Sequence, residues 1–137
     1  MRLRLLLAFA TAVLSCREKP VVVPWTDVID ALVRSNRTLA PCSNVSTYAS
    51  NAWDPKTERI KEGARPLEHS EIRADAGSPL CFSVQIVALG STGNRYRIYI
   101  NWMSNTNWSY GGARMLELDC SNAGCRTRKT EWNEILN

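Results

Sequence analysis

The chain has 137 residues, a formal net charge of +4 and 45% hydrophobic residues. That is enough for one modest domain with a core of its own, and too little charge to argue for a polyanionic partner. Five cysteines, five tryptophans and a single histidine are the unusual features, and they steer the reading toward an oxidised binding module and away from histidine-rich catalysis or metal binding.

The N-terminus carries Arg2 and Arg4, then an apolar stretch over residues 5–14, then Val13 and Ser15 at the −3 and −1 positions of a cut before Cys16. These are the parts of a secretory signal peptide. The stretch is short of the about 20 apolar residues that span a bilayer. Residues 1–15 are therefore read as signal peptide. Residues 16–125 are read as a single disulfide-bonded extracellular domain and residues 126–137 as a polar C-terminal tail. Cleavage removes the two positive charges of Arg2 and Arg4, and no later segment reads as an integral membrane span. A lipidated Cys16 is the bacterial alternative, which Leu14 at −2 fits poorly.

Along the remaining chain, residues 16–24 form a proline-bounded extended leader. Residues 25–34 place Val28, Ile29, Leu32 and Val33 on one face at helical spacing, with Thr26 or Asp27 as N-cap and Asn36 as the end. Residues 39–48 read as loop with a short strand at the end. Residues 53–66 read as a solvated loop or a fragile turn of helix.

The strongest periodicity follows. Phe82, Val84, Ile86 and Ala88 alternate with Ser83, Gln85, Val87 and Leu89. After a loop over residues 90–94, Tyr96, Ile98, Ile100 and Trp102 alternate with Arg95, Arg97, Tyr99 and Asn101. Two period-two runs divided by a glycine-containing loop predict a β-hairpin, its first strand the more central. A third strand over 113–120 sets Leu116 and Leu118 opposite Glu117 and Asp119. From residue 126 the mixed charges predict a solvated terminal helix or tail. The fold class is thus α+β and strand-rich: a small antiparallel sheet with a central β-hairpin and a short N-terminal helix, stapled by disulfides.

Setting Cys16 aside, Cys42, Cys81, Cys120 and Cys125 allow two bridges in three pairings. A local Cys120–Cys125 bridge with a long-range Cys42–Cys81 bridge is the favoured one, though the sequence leaves the choice open. Zinc binding is disfavoured, because structural sites take paired ligands at tight spacing and only one cysteine pair is close. Asn36-Arg-Thr, Asn44-Val-Ser and Asn107-Trp-Ser are N-glycosylation sequons, so Asn36, Asn44 and Asn107 are candidate glycan sites in a chain that enters the secretory pathway.

Trp102, Trp108 and Tyr110 bracket the turn Ser104-Asn-Thr-Asn107 and are the candidate binding residues, since large amphipathic rings anchor either a core or an interface. His69 lies beside Glu68, Ser70 and Glu71, but adjacency in sequence does not assemble a triad. Glu117 and Asp119 share a strand face, which suits a carboxylate pair and equally an ordinary wet surface. No catalytic residue, cofactor or metal site is assigned. Arg95 and Arg97 beside Tyr99 do not make a nucleic-acid groove at this low net charge.

The segment Ser78-Pro-Leu-Cys-Phe-Ser83, the stretch PVVVPWTDV over residues 20–28 and the Asn44 sequon resemble the surface subunits of betaretroviral and endogenous-retrovirus envelope glycoproteins. The resemblance covers Pro20 to Cys125. It implies a truncated surface-subunit fragment that binds a cell receptor. No furin-type site, fusion peptide, heptad region or membrane anchor accompanies it, so such a fragment does not drive fusion. The sequence therefore predicts a secreted, N-glycosylated, non-enzymatic binding glycoprotein whose partner is an extracellular or cell-surface protein. The alternatives are a secreted inhibitor or decoy, which would present residues 90–94 or 120–125 as a rigid loop, and a small hydrolase using His69 with a nearby carboxylate.

Overall fold

The computed structural model describes residues 22–136 apart from Ala76, Pro79, Trp108 and Ser109, with side chains as far as Arg128. The expected signal peptide, Cys16 and Trp108 lie outside the described residues, as does the side chain of Trp132.

The chain enters through α1 (Trp25–Ile29), which continues into a wider π-helical turn over Asp30–Arg34. Val28, Ile29, Leu32 and Val33 are buried on one side of this unit, as their spacing predicts. The start differs from expectation. Neither Thr26 nor Asp27 is the N-cap; Pro24 is, with no side-chain capping bond. The first turn is closed by Val28 N–H donating to Pro24 O at 3.0 Å, and the fixed φ of proline presets that geometry. Asp27 falls in the first turn, where it complements the positive helix end. Asn36 ends the unit as expected: its N–H donates to Val33 O, and its Oδ1 accepts from Thr38 N–H at 2.9 Å.

Among the described residues, six strands form one sheet in the order β4-β1-β5-β6-β7-β8. They are β1 (Cys42–Tyr48), β4 (Glu68–Arg73), β5 (Phe82–Thr92), β6 (Arg95–Ser104), β7 (Gly111–Ser121) and β8 (Gly124–Leu136). A separate ribbon pairs β2 (Trp53–Asp54) with β3 (Arg59–Ile60). Neighbouring strands of the sheet run antiparallel except β1 and β5, which are parallel with Ser43 opposite Phe82. The short helix, the antiparallel-dominated sheet and its central β5–β6 hairpin match the fold class read from the sequence.

Several local expectations are corrected. Residues 39–48 hold a full strand, β1, flanked by β4 and β5. Residues 53–66 contain the β2–β3 ribbon in place of a loop or helical turn. Residues 126–136 form neither helix nor free tail: their backbone extends β8 along β7, from Ser121↔Gly124 to Gly111↔Leu136. The hairpin loop expected at 90–94 shrinks to Gly93-Asn94, because Thr92 already pairs with Arg95. Gly93 has φ +60°, the conformation a two-residue type II′ hairpin turn needs at its first position.

The disulfides are Cys42–Cys81 and Cys120–Cys125. The first joins the leading ends of the parallel pair. The second links directly opposed residues of the β7–β8 hairpin.

Helix and sheet share one core. Val84, Ile86, Ala88, Ile98, Ile100, Leu116 and Leu118 meet Val28, Leu32 and Val33 on the helix side. Tyr48, Val87, Tyr99 and Ala113 form a second cluster on the opposite face, with Trp53, Ile60 and Ala64 packed against it. The strict alternation of β5 and β6 produces both clusters. On the helix side Thr47 is 1% exposed, and its Oγ1 is buried without a hydrogen-bond partner. A hydroxyl desolvated for nothing is costly, so Thr47→Val is expected to raise the unfolding free energy by about 1 kcal/mol, read by denaturant unfolding.

Candidate functional site

Among the described residues, two regions have features of a binding site. The first is the end of the sheet where β5 begins and β6 turns into β7. Tyr110 is 49% exposed, and its ring leans on the buried Phe82 at 5.9 Å between centroids with the planes tilted by 54°. The loop is built from backbone: Ser104 N–H donates to Tyr110 O at 2.8 Å, Tyr110 N–H to Asn107 O at 2.9 Å, and Asn105 N–H to Cys81 O at 2.9 Å. Ser104 Oγ accepts from Asn107 N–H at 3.2 Å, and Asn105 Oδ1 accepts from Ser83 Oγ–H at 2.7 Å. Leu80, 42% exposed, sits at the same end. These bonds, on either side of the residues not described, place a half-exposed aromatic ring near a disulfide.

The three residues singled out from the sequence separate here. Tyr110 is available to a partner. Trp102 is half-buried against the helix-side core, with the Arg114 guanidinium carbon 5.4 Å from its ring centroid, an arrangement that already uses the ring's face. Its position on the inward side of β6 is legible from the alternation. Trp108 lies outside the described residues. Leu80, which stands in the Ser78–Ser83 segment without being singled out there, is exposed next to Cys81 in the chain.

The second region is a cleft of about 430 Å³ on the face away from the helix. Its floor is Tyr48 of β1, Gln85 of β5, Tyr99, Asn101 and Met103 of β6 and Ala113 of β7. Its other wall is the chain from Arg59 to Ala64. Trp53 anchors that wall by packing on Tyr99 at 4.5 Å between ring centroids. Gln85 Nε2 donates to Tyr48 Oη at 3.4 Å. Asn101 Oδ1 is buried and has no hydrogen-bond partner. The sequence does not single out this cleft. Its only trace is the wetter outer face of β6, where Tyr99 and Asn101 stand, and the wall belongs to a segment that reads as solvated loop.

The ribbon that carries the wall is held at its tip by Asp54. Its carboxylate accepts from Lys56 N–H at 3.0 Å and from Thr57 Oγ1–H at 3.0 Å. The Lys56 amide first, and then the Thr57 hydroxyl, hold the Asp54 carboxyl below the usual carboxylate range. Such a lowered group helps the folded ribbon above the ordinary carboxylate pKa and loses that help as pH falls through the lowered value.

Among the glycan candidates, Asn107 is exposed in the β6–β7 loop, whereas Asn36 and Asn44 are half-buried. Asn44 lies within β1, opposite Glu71 on one side and Ser83 on the other.

The remaining polar candidates pair with other groups. Exposed His69 has Nδ1 3.1 Å from Ser46 Oγ, a hydroxyl–imidazole contact across β1 and β4. The carboxylate two residues away, Glu71, accepts from Arg73 Nε–H, so it does not orient the imidazole as a triad acid would. Asp119 forms a cross-strand ion pair with Arg95 at 3.3 Å, and Glu117 stands opposite Arg97 in the register. No helix among the described residues is long and apolar enough to cross a membrane.

Comparison with protein-family models, curated proteins and solved structures finds no match to this chain.

Proposed function

We propose that this protein is a secreted, N-glycosylated binding glycoprotein that acts by recognising an extracellular or cell-surface protein, without catalysis. The observation that carries the reading is the pairing of all four described cysteines at strand ends. Such bridges form and persist in oxidising compartments, in keeping with the leader and the sequons. The recognition surface in this reading is the Tyr110 and Leu80 end of the sheet. Its backbone bonds and the Phe82 contact fix the ring before any partner arrives, which limits the ordering cost of binding. In the envelope-like form of the proposal the partner is a cell receptor, and Ser78–Ser83, which carries the resemblance, feeds directly into this end.

The inhibitor or decoy reading draws less support. Both loops it relies on are tight, with only Gly93-Asn94 and Asn122-Ala123 between paired residues.

The test is expression in mammalian cells with intact-mass analysis of the medium. A secreted product starting at Cys16, lighter after N-glycan removal and heavier by two reduced disulfides after reduction, is the expected result. An intracellular chain with its leader intact and free thiols would sink the proposal. For the surface itself, Tyr110→Ala combined with Leu80→Ser is expected to weaken cell-surface binding at least about tenfold, roughly the loss of one interface anchor, with the melting temperature little changed. Undiminished binding places the partner elsewhere.

A further inference from the structure

We propose that the cleft on the face away from the helix holds the inner sugars of a glycan carried by Asn44 of the same chain. This assignment rests on the N-glycosylated reading above, which supplies the sugar, and gives one of its glycans a docking place.

Strand register puts the attachment point beside the cleft. Side chains two apart on a strand share a face. Tyr48 belongs to the cluster away from the helix, so Asn44 and Ser46 of β1 face the same way, whereas Val45 is buried on the helix side. Asn44 stands opposite Ser83, and Ser83 stands opposite Met103, which lines the cleft. At about 5 Å per strand step, Met103 is about 10 Å from Asn44 along one row of the sheet. Gln85, two residues beyond Ser83 on the same face, lines the cleft as well. The wall stands at the other end, where Ile60 and Ala64 pack against the cluster of Tyr48 and Tyr99. The cleft therefore extends from the wall toward the row that holds Asn44. That residue is half-buried between β4 and β5, so a glycan on it starts out along the sheet face.

The lining suits a sugar. A cavity of about 430 Å³ falls within the range of small-ligand sites. Sugars present many hydroxyls and small patches of C–H, and the cleft has partners for both. The Tyr48 hydroxyl, the Gln85 amide and the Lys61 ammonium serve the first, and Met103 and Ile60 the second. Gln85 Nε2 reaches Tyr48 Oη at 3.4 Å, long for a hydrogen bond, so both groups keep capacity for a ligand. Lys61 Nζ donates to Asn51 O at 2.7 Å and, as an ammonium, keeps its charge and further N–H donors. Each such contact with a sugar is weak. Tethering offsets this, because a ligand on a short link to its site acts at an effective concentration on the order of millimolar.

The experiment uses the full chain secreted from mammalian cells. Peptide N-glycosidase, which converts the carrier Asn to Asp as it removes a glycan, is applied and each site is followed by peptide mass mapping. Release from Asn44 in the folded protein is expected to be at least about tenfold slower than after reduction and unfolding, equivalent to about 1.4 kcal/mol. A strand shields its own residues to some degree, so two variants separate docking from shielding. Gln85→Ala in the floor, and Lys61→Ala with Glu62→Ala on the exposed wall, are each expected to remove most of the protection while leaving Asn44 in β1. The wall variant changes only exposed side chains, so the test stands even if Gln85→Ala does not fold. Protection unchanged in the folded variants would overturn the proposal, as would equal release from folded and unfolded protein. A secreted product glycosylated at Asn36 or Asn107 and bare at Asn44 overturns it too, and leaves the protein-binding proposal untouched. A chain that carries no glycan at all takes down the N-glycosylated reading itself, and the docked glycan with it.

Discussion

Replacing Cys42 and Cys81 together by alanine is expected to lower the unfolding free energy by about 4 kcal/mol, against about 2 kcal/mol for the Cys120, Cys125 pair. The difference is one of loop length. The first bridge spans a sequence separation of 39 residues and the second only 5, and a longer closed loop removes more freedom from the unfolded chain. The folded geometry points the same way. Cys42 and Cys81 bring together the leading ends of β1 and β5, a parallel pair. Parallel strands need a long connection, and this one carries the ribbon and β4 between them. Cys120 and Cys125 face each other across a two-residue turn that would keep them close without a bond. A domain of this size is commonly stable by only about 5–15 kcal/mol, so loss of the long bridge leaves little margin at body temperature. Denaturant unfolding of the two double variants checks the ranking. Equal losses would show that loop entropy does not govern these bridges.

How far the sequence discloses this fold depends on where the apolar residues fall. β5 and β6 bury both faces over much of their length, so their alternation alone identifies the hairpin and both of its sides. The helix is equally visible, because Val28, Ile29, Leu32 and Val33 form an uninterrupted stripe. β1 is hidden by its chemistry. It buries Ser43 and Thr47 beside Val45, so its inward side reads as polar, and Ser43 tolerates burial because its Oγ–H donates to Leu39 O at 2.6 Å. β4 and β8 are edge strands. β4 contributes only Ile72 to the core, and charges along an edge are the usual guard against unwanted pairing. The same polarity makes the β8 segment look like a tail and leaves the β4 segment without a strand signal. The favoured cysteine pairing is the one observed, although spacing alone leaves three choices. The cleft is illegible for a different reason. It is made by bringing the 59–64 segment over Tyr99 and Asn101, and nothing local in either segment announces the meeting.

Phe82→Ala is expected to cost about 4 kcal/mol, near the middle of the range for removing a buried phenylalanine. Phe82 is 1% exposed and opens β5 with neighbours on both sides, Ser43 in β1 and Ser104 in β6. Its core neighbours are held in place by strand pairing, so the cavity cannot close easily, and a cavity that persists adds to the loss of apolar burial. The residue also links stability to the proposed recognition surface, since its ring supports Tyr110. Tyr110→Ala alone should cost much less, because that ring is half in water. The double variant should then show a coupling of about 1 kcal/mol, the scale of a tilted aromatic pair. Urea unfolding of the two single variants and the double variant measures it. Cell-surface binding, assayed well below the unfolding midpoint of Phe82→Ala, should fall as well, because Tyr110 then keeps its exposure and loses its support. Full binding by a folded Phe82→Ala protein would mean that Tyr110 is positioned by the loop's backbone bonds alone. Combining Phe82→Ala with loss of the Cys42–Cys81 bridge should depart from additivity, since Phe82 follows Cys81 in the chain and both changes loosen the same end of the β1–β5 pair.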